Sequence, residues 1–255
     1  MVSGRPLRIA FFGTPEFAVP TLQQLIASRH RIAAVVSQPD RPKGRGHTLQ
    51  PTPTKGVAAA AGVPVLQPDR IRQGEFLRAI EDLQLDLGVV AAYGRILPDR
   101  LLALPRLGMI NVHASLLPEY RGAAPVHRAV SDGKDETGIT IMRVVSELDA
   151  GPMLARVTHR IGRDDTSQQV ERALAEAGAA LLLSVVDEMA AGTATEVPQD
   201  DSQATYAPKI TKSEGAIDWN LPAARIHNLV RGLQPWPLVS AWIDGQRYLI
   251  HKTER

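Results

Sequence analysis

Short runs of apolar residues, each about the length of one buried strand, recur along most of the chain. Residues 7–12, 32–36 and 85–91 are apolar at nearly every position, as expected for strands covered on both faces. Segments with helical spacing lie between these runs, and the alternation predicts an α/β fold with a Rossmann-like, doubly wound, mostly parallel sheet up to about residue 190. The other predicted strands are residues 63–66, 108–113, 139–145 and 153–157, and the predicted helices are residues 16–29, 55–61, 74–83, 99–104 and 167–191.

The pattern changes after the long predicted helix. Residues 192–220 are polar and read as a linker, and residues 221–232 predict a short helix. Asp244-Gly245 separates two apolar runs, residues 238–243 and 247–251, and predicts a β-hairpin because Asp-Gly favours a tight turn.

These changes predict how the chain divides into domains. We expect an α/β domain, a linker and a small β domain over residues 1–191, 192–209 and 210–255. Two strands alone are marginally stable in water, so the last domain looks truncated, as if only its first strands were present.

Composition narrows the class of protein without identifying it. The 255 residues are 44% hydrophobic and carry a formal charge of +2, too small to indicate nucleic-acid binding by itself. Cysteine is absent, which excludes disulfides, a thiolate nucleophile and iron–sulfur clusters. The N-terminus lacks the pattern of a signal peptide, and the longest weakly polar stretch, residues 177–186, is half of the ~20 residues that span a bilayer. We expect a cytoplasmic protein without a membrane partner.

Several common catalytic signatures are missing from the sequence. Gly13-Thr14-Pro15-Glu16 follows the first predicted strand where a dinucleotide-binding chain would have G-x-G-x-x-G, so we expect no nucleotide cofactor. Walker A, G-x-S-x-G and H-E-x-x-H motifs are also absent. Little remains to hold a catalytic metal, and we expect none.

Polar residues at the end of one predicted strand form the first candidate site. Asn111 and His113 are two positions apart and therefore project to one face, and Asp149 lies in a predicted loop between later strands. An amide, an imidazole and a carboxylate together can stabilise an oxyanion, move a proton and orient the imidazole. Each residue alone is more typical of a cap or a turn, and spacing does not establish that Asp149 meets His113.

A loop rich in glycine and proline is the second candidate site. Arg41, Lys43, Arg45 and His47 lie within seven residues of each other. Such a loop can contact the phosphates of a nucleic acid in a salt-dependent manner. On charge alone a solvated surface loop is the commoner explanation, so both interpretations stay open at this point.

The motifs around these residues resemble those of formyltransferases that use 10-formyltetrahydrofolate. Asn111-x-His113-x-Ser115-Leu116-Leu117-Pro118, followed by Asp149, resembles their signature. Further segments are similar to methionyl-tRNA formyltransferases, and this similarity runs nearly end to end. These segments are GTPEFA (13–18), QPDRPKGRG (38–46), YGRILP (93–98), RGAAP (121–125), YAPK (206–209), IDW (217–219) and PWP (235–237).

The resemblance implies a reaction and a set of site residues. The amino group of methionine on initiator tRNA would attack the formyl carbon of 10-formyltetrahydrofolate, with Asn111 stabilising the oxyanion, His113 as general acid–base and Asp149 orienting and tuning His113. The implied folate contacts are Arg95, Ile96, Leu97, Ser115, Leu116, Leu117, Pro118, Val145, Ser146, Glu147 and Leu148. The implied tRNA contacts are Arg41, Lys43, Arg45, Lys209 and Lys212, with Arg45 the most important.

Two other functions remain open. A sugar-nucleotide N-formyltransferase shares the Asn, His and Asp residues and the Ser-Leu-Leu-Pro loop, but is not expected to carry Pro-Asp-Arg-Pro-x-Gly-Arg-Gly after the second strand. A catalytically inactive remnant that binds tRNA or folate is the other alternative, because we expect only the first strands of the family's OB-like C-terminal β-barrel in this sequence. We expect a monomer in each case.

Overall fold

The computed structural model describes residues 4–43 and 48–254, except for the side chains of Lys43 and Thr48. The strands are β1 Arg8–Gly13, β2 Arg31–Val36, β3 Arg41–Lys43, β4 Thr48–Gln50, β5 Val65–Leu66, β6 Leu87–Ala91, β7 Met109–His113, β8 Arg121–Gly122, β9 Glu136–Arg143, β10 Met153–Arg160, β11 Tyr206–Ala207, β12 Val239–Ile243 and β13 Gln246–Ile250. The helices are α1 Val19–Ile26, α2 Pro53–Ala60, α3 Gly74–Glu81, α4 Asp99–Leu102, α5 Pro125–Asp132, α6 Ser167–Ala191 and α7 Ala223–Gly232, and 3-10 turns occupy Glu16–Ala18, Asp201–Gln203 and Lys212–Gly215.

Within the described residues, seven strands form the central sheet in the order β10-β9-β7-β6-β1-β2-β5. The β1–β2, β1–β6, β2–β5 and β6–β7 pairs are parallel, and β7 pairs antiparallel with β9. Chain order runs outward from β1 in both directions, which creates a topological switch point at the carboxyl ends of the strands. The predicted doubly wound, mostly parallel sheet is confirmed.

Burial explains why the central strands could be predicted. In β1 every residue after Arg8 is buried, and the last four residues of β2 are buried as well. Phe12 packs edge-to-face on Tyr93, with ring centroids 5.7 Å apart, in a cluster that also contains Leu97 and Leu101. Each large apolar side chain buried in this way contributes roughly 1.5–3 kcal/mol.

A buried histidine joins the start of the sheet to α6. The Leu7 N–H donates to His30 Nδ1 at 3.0 Å, and His30 Nε2 lies 3.2 Å from Asp187 Oδ1. Nδ1 can accept only in the neutral imidazole, with the proton on Nε2. Burial lowers the pKa of His30 below its ordinary 6.5, although Asp187 opposes the shift.

Some observed elements differ from the predicted ones. The helix predicted over residues 16–29 is a 3-10 turn followed by α1, since Pro20 lacks an N–H and fits only in the first turn of an α-helix. The predicted glycine- and proline-rich loop contains the paired strands β3 and β4, which have too few residues to show alternation. Helix α5 was not predicted, although Pro125 at its start and the left-handed Gly133 at its end are typical helix boundaries.

The chain divides into two compact units. The first unit consists of Met1–His113, Thr140–Arg156 and Ala175–Gln199, and the second of Ala114–Ile139, Val157–Leu174 and Asp200–Arg255. No helix of the described residues combines the length and the apolarity that crossing a membrane requires. The domain boundaries at residues 191 and 209 stay predictions.

The second unit contains the C-terminal hairpin. Strands β12 and β13 pair antiparallel around Asp244 and Gly245, whose φ angles of 49° and 74° are those that a tight hairpin turn needs at both central positions. Val239 of β12 lies in an apolar cluster of the second unit together with Val230 and Leu233. The hairpin predicted from Asp-Gly is confirmed.

Candidate active site

Strand β7 carries two of the predicted catalytic side chains at its carboxyl end. Hydrogen bonding holds the strand on both sides, because Asn111 pairs with Val90 of β6 and His113 pairs with Thr140 of β9. Asn111 is partly exposed, whereas the side chain of His113 is 5% exposed. In open α/β sheets this edge is the place where ligands bind.

The loop between β9 and β10 brings a carboxylate to the imidazole. Asp149 Oδ2 lies 3.6 Å from His113 Nδ1, and the Asp149 side chain is 14% exposed. This distance is that of an ion pair and is longer than a good hydrogen bond. The sequence predicted both residues but not their meeting, which the order of the strands produces.

The three side chains offer complementary chemistry. The carboxylate of Asp149 lies near Nδ1 and leaves Nε2 as the ring nitrogen that can exchange a proton with a ligand. Asn111 is two residues from His113 along β7 and has an amide N–H that can donate to a developing oxyanion. Among the described residues, no group of three or more His, Asp and Glu side chains is placed to hold a metal ion.

Two segments predicted to bind folate lie in the first unit with the His113–Asp149 pair. Leu97 and Val144 pack in one apolar cluster, so residues 95–97 and 145–148 extend from a common support. Ile96 is 75% exposed and Leu148 is 57% exposed, which is unusual for such large apolar side chains. Ser146 and Glu147 are also exposed, and Val145 is partly buried. Exposed apolar groups of this kind suit a flat aromatic ligand.

The side chain of Arg95 donates hydrogen bonds to other residues of the protein. Its Nε donates to Gln38 Oε1 at 2.9 Å, and Nη1 donates to the carbonyl groups of Pro68 and Asp69 at 3.1 and 2.8 Å. Two of the three guanidinium nitrogens of Arg95 are therefore engaged within the protein.

The remaining predicted folate segment belongs to the second unit. Ser115 and Leu117 have no exposed surface, and the Ser115 hydroxyl donates to the carbonyl of Glu119 at 2.6 Å. Leu116 and Pro118 are partly exposed. Packing accounts for Ser115 and Leu117, so a contact with a ligand can come only from the other two side chains of this segment.

The predicted tRNA residues are surface residues wherever they are described. Arg41 is exposed on β3, and Lys209 and Lys212 are exposed in the second unit. Arg45 and His47 lie outside the described residues, as does the side chain of Lys43. The structure therefore does not place the residue that the resemblance makes most important.

A polar network missed in the sequence anchors the base of the β3–β4 hairpin. Lys55 Nζ donates to Asp40 Oδ2 at 2.5 Å and to Gln67 Oε1 at 2.8 Å, and Gln67 Nε2 donates to Asp40 Oδ1 at 2.7 Å. The hydrogen bond from Lys55 and then that from Gln67 lower the pKa of the Asp40 carboxyl. Asp40 precedes Arg41, so the network fixes the start of the basic hairpin.

Gln199 is a second residue that the sequence did not single out. Its side chain donates hydrogen bonds to the backbone carbonyl groups of Asp149 and Gly151. It lies in the predicted linker, where a lone glutamine has no recognisable pattern.

Comparison with known proteins identifies matching family models and relatives that are about half identical to this chain. The family models described as "Formyl transferase" and "Formyl transferase, C-terminal domain" match residues 7–186 and 209–255. The methionyl-tRNA formyltransferase of Heliobacterium modesticaldum is 52% identical over 240 residues, which are 94% of this chain and 76% of the relative. The enzyme of the same name from Stutzerimonas stutzeri is 47% identical over 250 residues, 98% of this chain and 80% of the relative. That of Moorella thermoacetica is 48% identical over 245 residues, 96% and 79% of the two chains.

Solved structures with the same fold are more distant in sequence. A sugar N-formyltransferase from Shewanella has a TM-score of 0.74 at 17% identity, with 98% of each chain covered. A 4-N formyltransferase from Francisella tularensis has a TM-score of 0.75 at 16% identity, also with 98% of each chain covered. An N-formyltransferase from Helicobacter canadensis, in complex with folinic acid and dTDP-3-aminofucose, has a TM-score of 0.72 at 17% identity and covers 94% of this chain and 85% of its own. At such identities the likeness concerns the fold alone.

Proposed function

The chain belongs to the formyl transferase family, and from this premise we propose that it formylates the amino group of methionine on initiator methionyl-tRNA. The donor is 10-formyltetrahydrofolate. The observation that carries the proposal is the 3.6 Å contact between His113 and Asp149 at the carboxyl end of β7, on the strand that also bears Asn111. Relatives 47–52% identical to the chain, named for this activity, support the choice of acceptor.

The reaction exchanges one carbon–nitrogen bond for another. The neutral amine of methionine attacks the formyl carbon, a new C–N bond forms, and the carbonyl π electrons move to oxygen as the tetrahedral intermediate develops. Asn111 donates a hydrogen bond to that oxyanion. His113 takes a proton from the attacking nitrogen and delivers one to N10 of the folate. The oxyanion then re-forms the carbonyl, the C–N10 bond breaks, and tetrahydrofolate leaves with the proton.

Asp149 supports the proton transfer without reacting. While His113 carries the additional proton, the imidazolium stands beside a carboxylate in a largely buried setting, where their attraction is only partly screened. The same contact directs Nδ1 toward Asp149 and Nε2 toward the reactants. Asp149 therefore stabilises the charged form of His113 when proton transfer needs it.

The two substrates use different parts of the chain. Exposed Ile96 and Leu148 provide apolar surface for the folate ring, and the backbone around them provides hydrogen-bonding groups. Arg41, Lys209 and Lys212 supply positive charge for tRNA phosphates. The network of Asp40, Lys55 and Gln67 holds the start of the basic hairpin in position for that contact, as the preceding section describes.

Formyl transfer to a panel of acceptors tests the proposal. The chain is incubated with 10-formyltetrahydrofolate and initiator methionyl-tRNA, elongator methionyl-tRNA or an amino-sugar nucleotide, and formylated product is measured by mass spectrometry. We expect formylation of initiator methionyl-tRNA in preference to the other acceptors. Transfer to the sugar alone would identify a sugar-nucleotide N-formyltransferase. Binding of tRNA and folate without transfer to any acceptor would identify an inactive binding protein.

A further inference from the structure

The backbone at Asp149 has a conformation that needs support. Its φ angle is +50°, in the left-handed region that non-glycine residues seldom enter, with Asp and Asn the most tolerant. The Ala150 N–H reaches the carbonyl of Glu147 only at 3.5 Å, the outer limit of a hydrogen bond. The loop that presents the carboxylate therefore benefits from bonds supplied by another segment.

Gln199 supplies two such bonds. Its Nε2 lies 2.8 Å from the carbonyl oxygen of Asp149 and 2.8 Å from that of Gly151. A carboxamide nitrogen has two hydrogens, so each acceptor can receive one. Gly151 packs closely against β9, because a Cβ at this position would collide with the carbonyl of Arg143. The two hydrogen bonds thus hold the backbone on both sides of Ala150.

The segment that carries Gln199 is attached to both strands that frame the loop. Val197 forms a two-way backbone bridge with Met153, the first residue of β10, at 2.8 Å in each direction. Glu196 accepts a hydrogen bond at 2.7 Å from Nε of Arg143, the last residue of β9. Gln199 therefore reaches the loop from a support that is itself fixed.

We propose that Gln199 is a positioning residue for catalysis, holding Asp149 in the backbone conformation that sets its carboxylate beside His113. The proposal rests on the proposed function, because it assumes that the His113–Asp149 pair transfers the proton. At a contact of 3.6 Å, a small rotation of the Asp149 backbone is enough to separate the two charged groups. Displacements of about 1 Å at a catalytic group can reduce rates by about 100-fold.

The most informative variant is Gln199→Glu. It keeps the length of the side chain but replaces the donating nitrogen with a carboxylate oxygen that faces two carbonyl groups. Gln203→Glu is the matched control, since it makes the same change four residues further along the chain, at an exposed side chain that donates a hydrogen bond to Asp200. Gln199→Ala, which removes the donor without adding charge, separates loss of the bonds from repulsion.

Kinetics of formyl transfer to initiator methionyl-tRNA give the first readout. We expect Gln199→Glu to lower kcat by about 10- to 100-fold and to leave the KM of both substrates within about twofold, with Gln199→Ala intermediate and Gln203→Glu close to wild type. In an Asp149→Asn background, Gln199→Glu should reduce kcat by no more than about threefold further, because it acts through a group already removed. Full additivity of the two losses, or a rise in KM with kcat unchanged, would overturn the proposal.

The ¹⁵N resonances of the His113 imidazole give a second readout that does not depend on turnover. Gln199→Glu and Asp149→Asn should move them in the same direction in the free chain, whereas Gln203→Glu should not. Unmoved resonances in folded Gln199→Glu would refute the positioning role. A wild-type chain that formylates no methionyl-tRNA would instead contradict the proposed function, and the resonances would still decide whether Gln199 controls the pair.

Discussion

Replacing Asp149 with asparagine should slow formyl transfer about 100-fold while leaving the backbone in place. Asparagine has nearly the same shape as aspartate and tolerates the φ of +50° found at this position. The substitution therefore removes the negative charge beside His113 and keeps the shape of the side chain. The KM of either substrate should change little, because the side chain acts on the proton carrier.

The distance between the two side chains sets the expected magnitude. Two unit charges 3.6 Å apart attract by about 5 kcal/mol at an effective dielectric constant of about 20. Because the proton is only partly transferred to the imidazole in the transition state, we take about half of this attraction, roughly 2–3 kcal/mol. Each 1.36 kcal/mol changes a rate by about tenfold, which gives a loss on the order of 100-fold.

The assay is steady-state formyl transfer to initiator methionyl-tRNA across a range of pH. Asp244→Asn is the matched control, since Asp244 also has a left-handed φ of 49° but lies exposed in the turn between β12 and β13. We expect wild-type kinetics from the control. If Asp149→Asn retained kcat within about threefold of wild type with an unchanged pH profile, electrostatic support of His113 would be the wrong account of this site.

Three further predictions concern the tRNA surface and the core. Removing the exposed charge at Arg41 or Lys209 should raise the KM for tRNA several-fold and lower by about one the slope of log KM against log salt concentration. The KM for folate should not change, which serves as the control. An unaltered slope would show that these side chains do not contact tRNA phosphates. Burial lowers the pKa of His30 below 6.5, so the unfolded chain binds that proton more tightly, and the free energy of unfolding should rise with pH up to about 6.5. Urea unfolding at several pH values should show this rise in the free energy of unfolding in the wild-type chain and not in His30→Asn. Thr54→Val removes a buried hydroxyl that donates to the Gly13 carbonyl at 2.8 Å and should lower the free energy of unfolding by about 1–3 kcal/mol. Thr54→Ser keeps this hydrogen bond, loses only a methyl group and should cost less, on the order of 1 kcal/mol; a larger loss from Thr54→Ser than from Thr54→Val would show that packing of the methyl group matters more than the hydrogen bond.

The predicted family, enzyme class and fold are confirmed, and the reason lies in how local their signals are. Runs such as residues 7–12 are apolar on both faces because both faces are covered, and α6 was predicted with its observed bounds, Ser167–Ala191, because helical periodicity is contained in the segment itself. The β3–β4 hairpin and α5 escaped prediction. These elements are short and are bounded by proline and glycine, which are also the residues typical of turns, so the sequence does not separate a short strand or helix from a loop.

The candidate site was only partly accessible to the same reasoning. Asn111, His113 and Asp149 were singled out by type and motif, and their roles stay predictions that the variants above test. Sequence alone did not separate the buried Ser115 and Leu117 from the exposed Ile96 and Leu148 within the predicted folate residues. Burial depends on what other segments cover a side chain, which a local pattern does not contain.

By itself, the sequence determined the central strands in their order, the long helix α6, the absence of cysteine chemistry and the motif that marks the family, because each of these depends on neighbouring residues. Tertiary structure decided which distant groups meet. Strand β9 lies antiparallel beside β7 with Arg143 opposite Ile110, so the loop after β9 leaves near the start of β7 and reaches along the strand to bring Asp149 to His113. The bridge between Val197 and Met153 carries Gln199 to the same loop. Such contacts join residues far apart in the chain, and their geometry follows from packing the whole sheet rather than from any one segment.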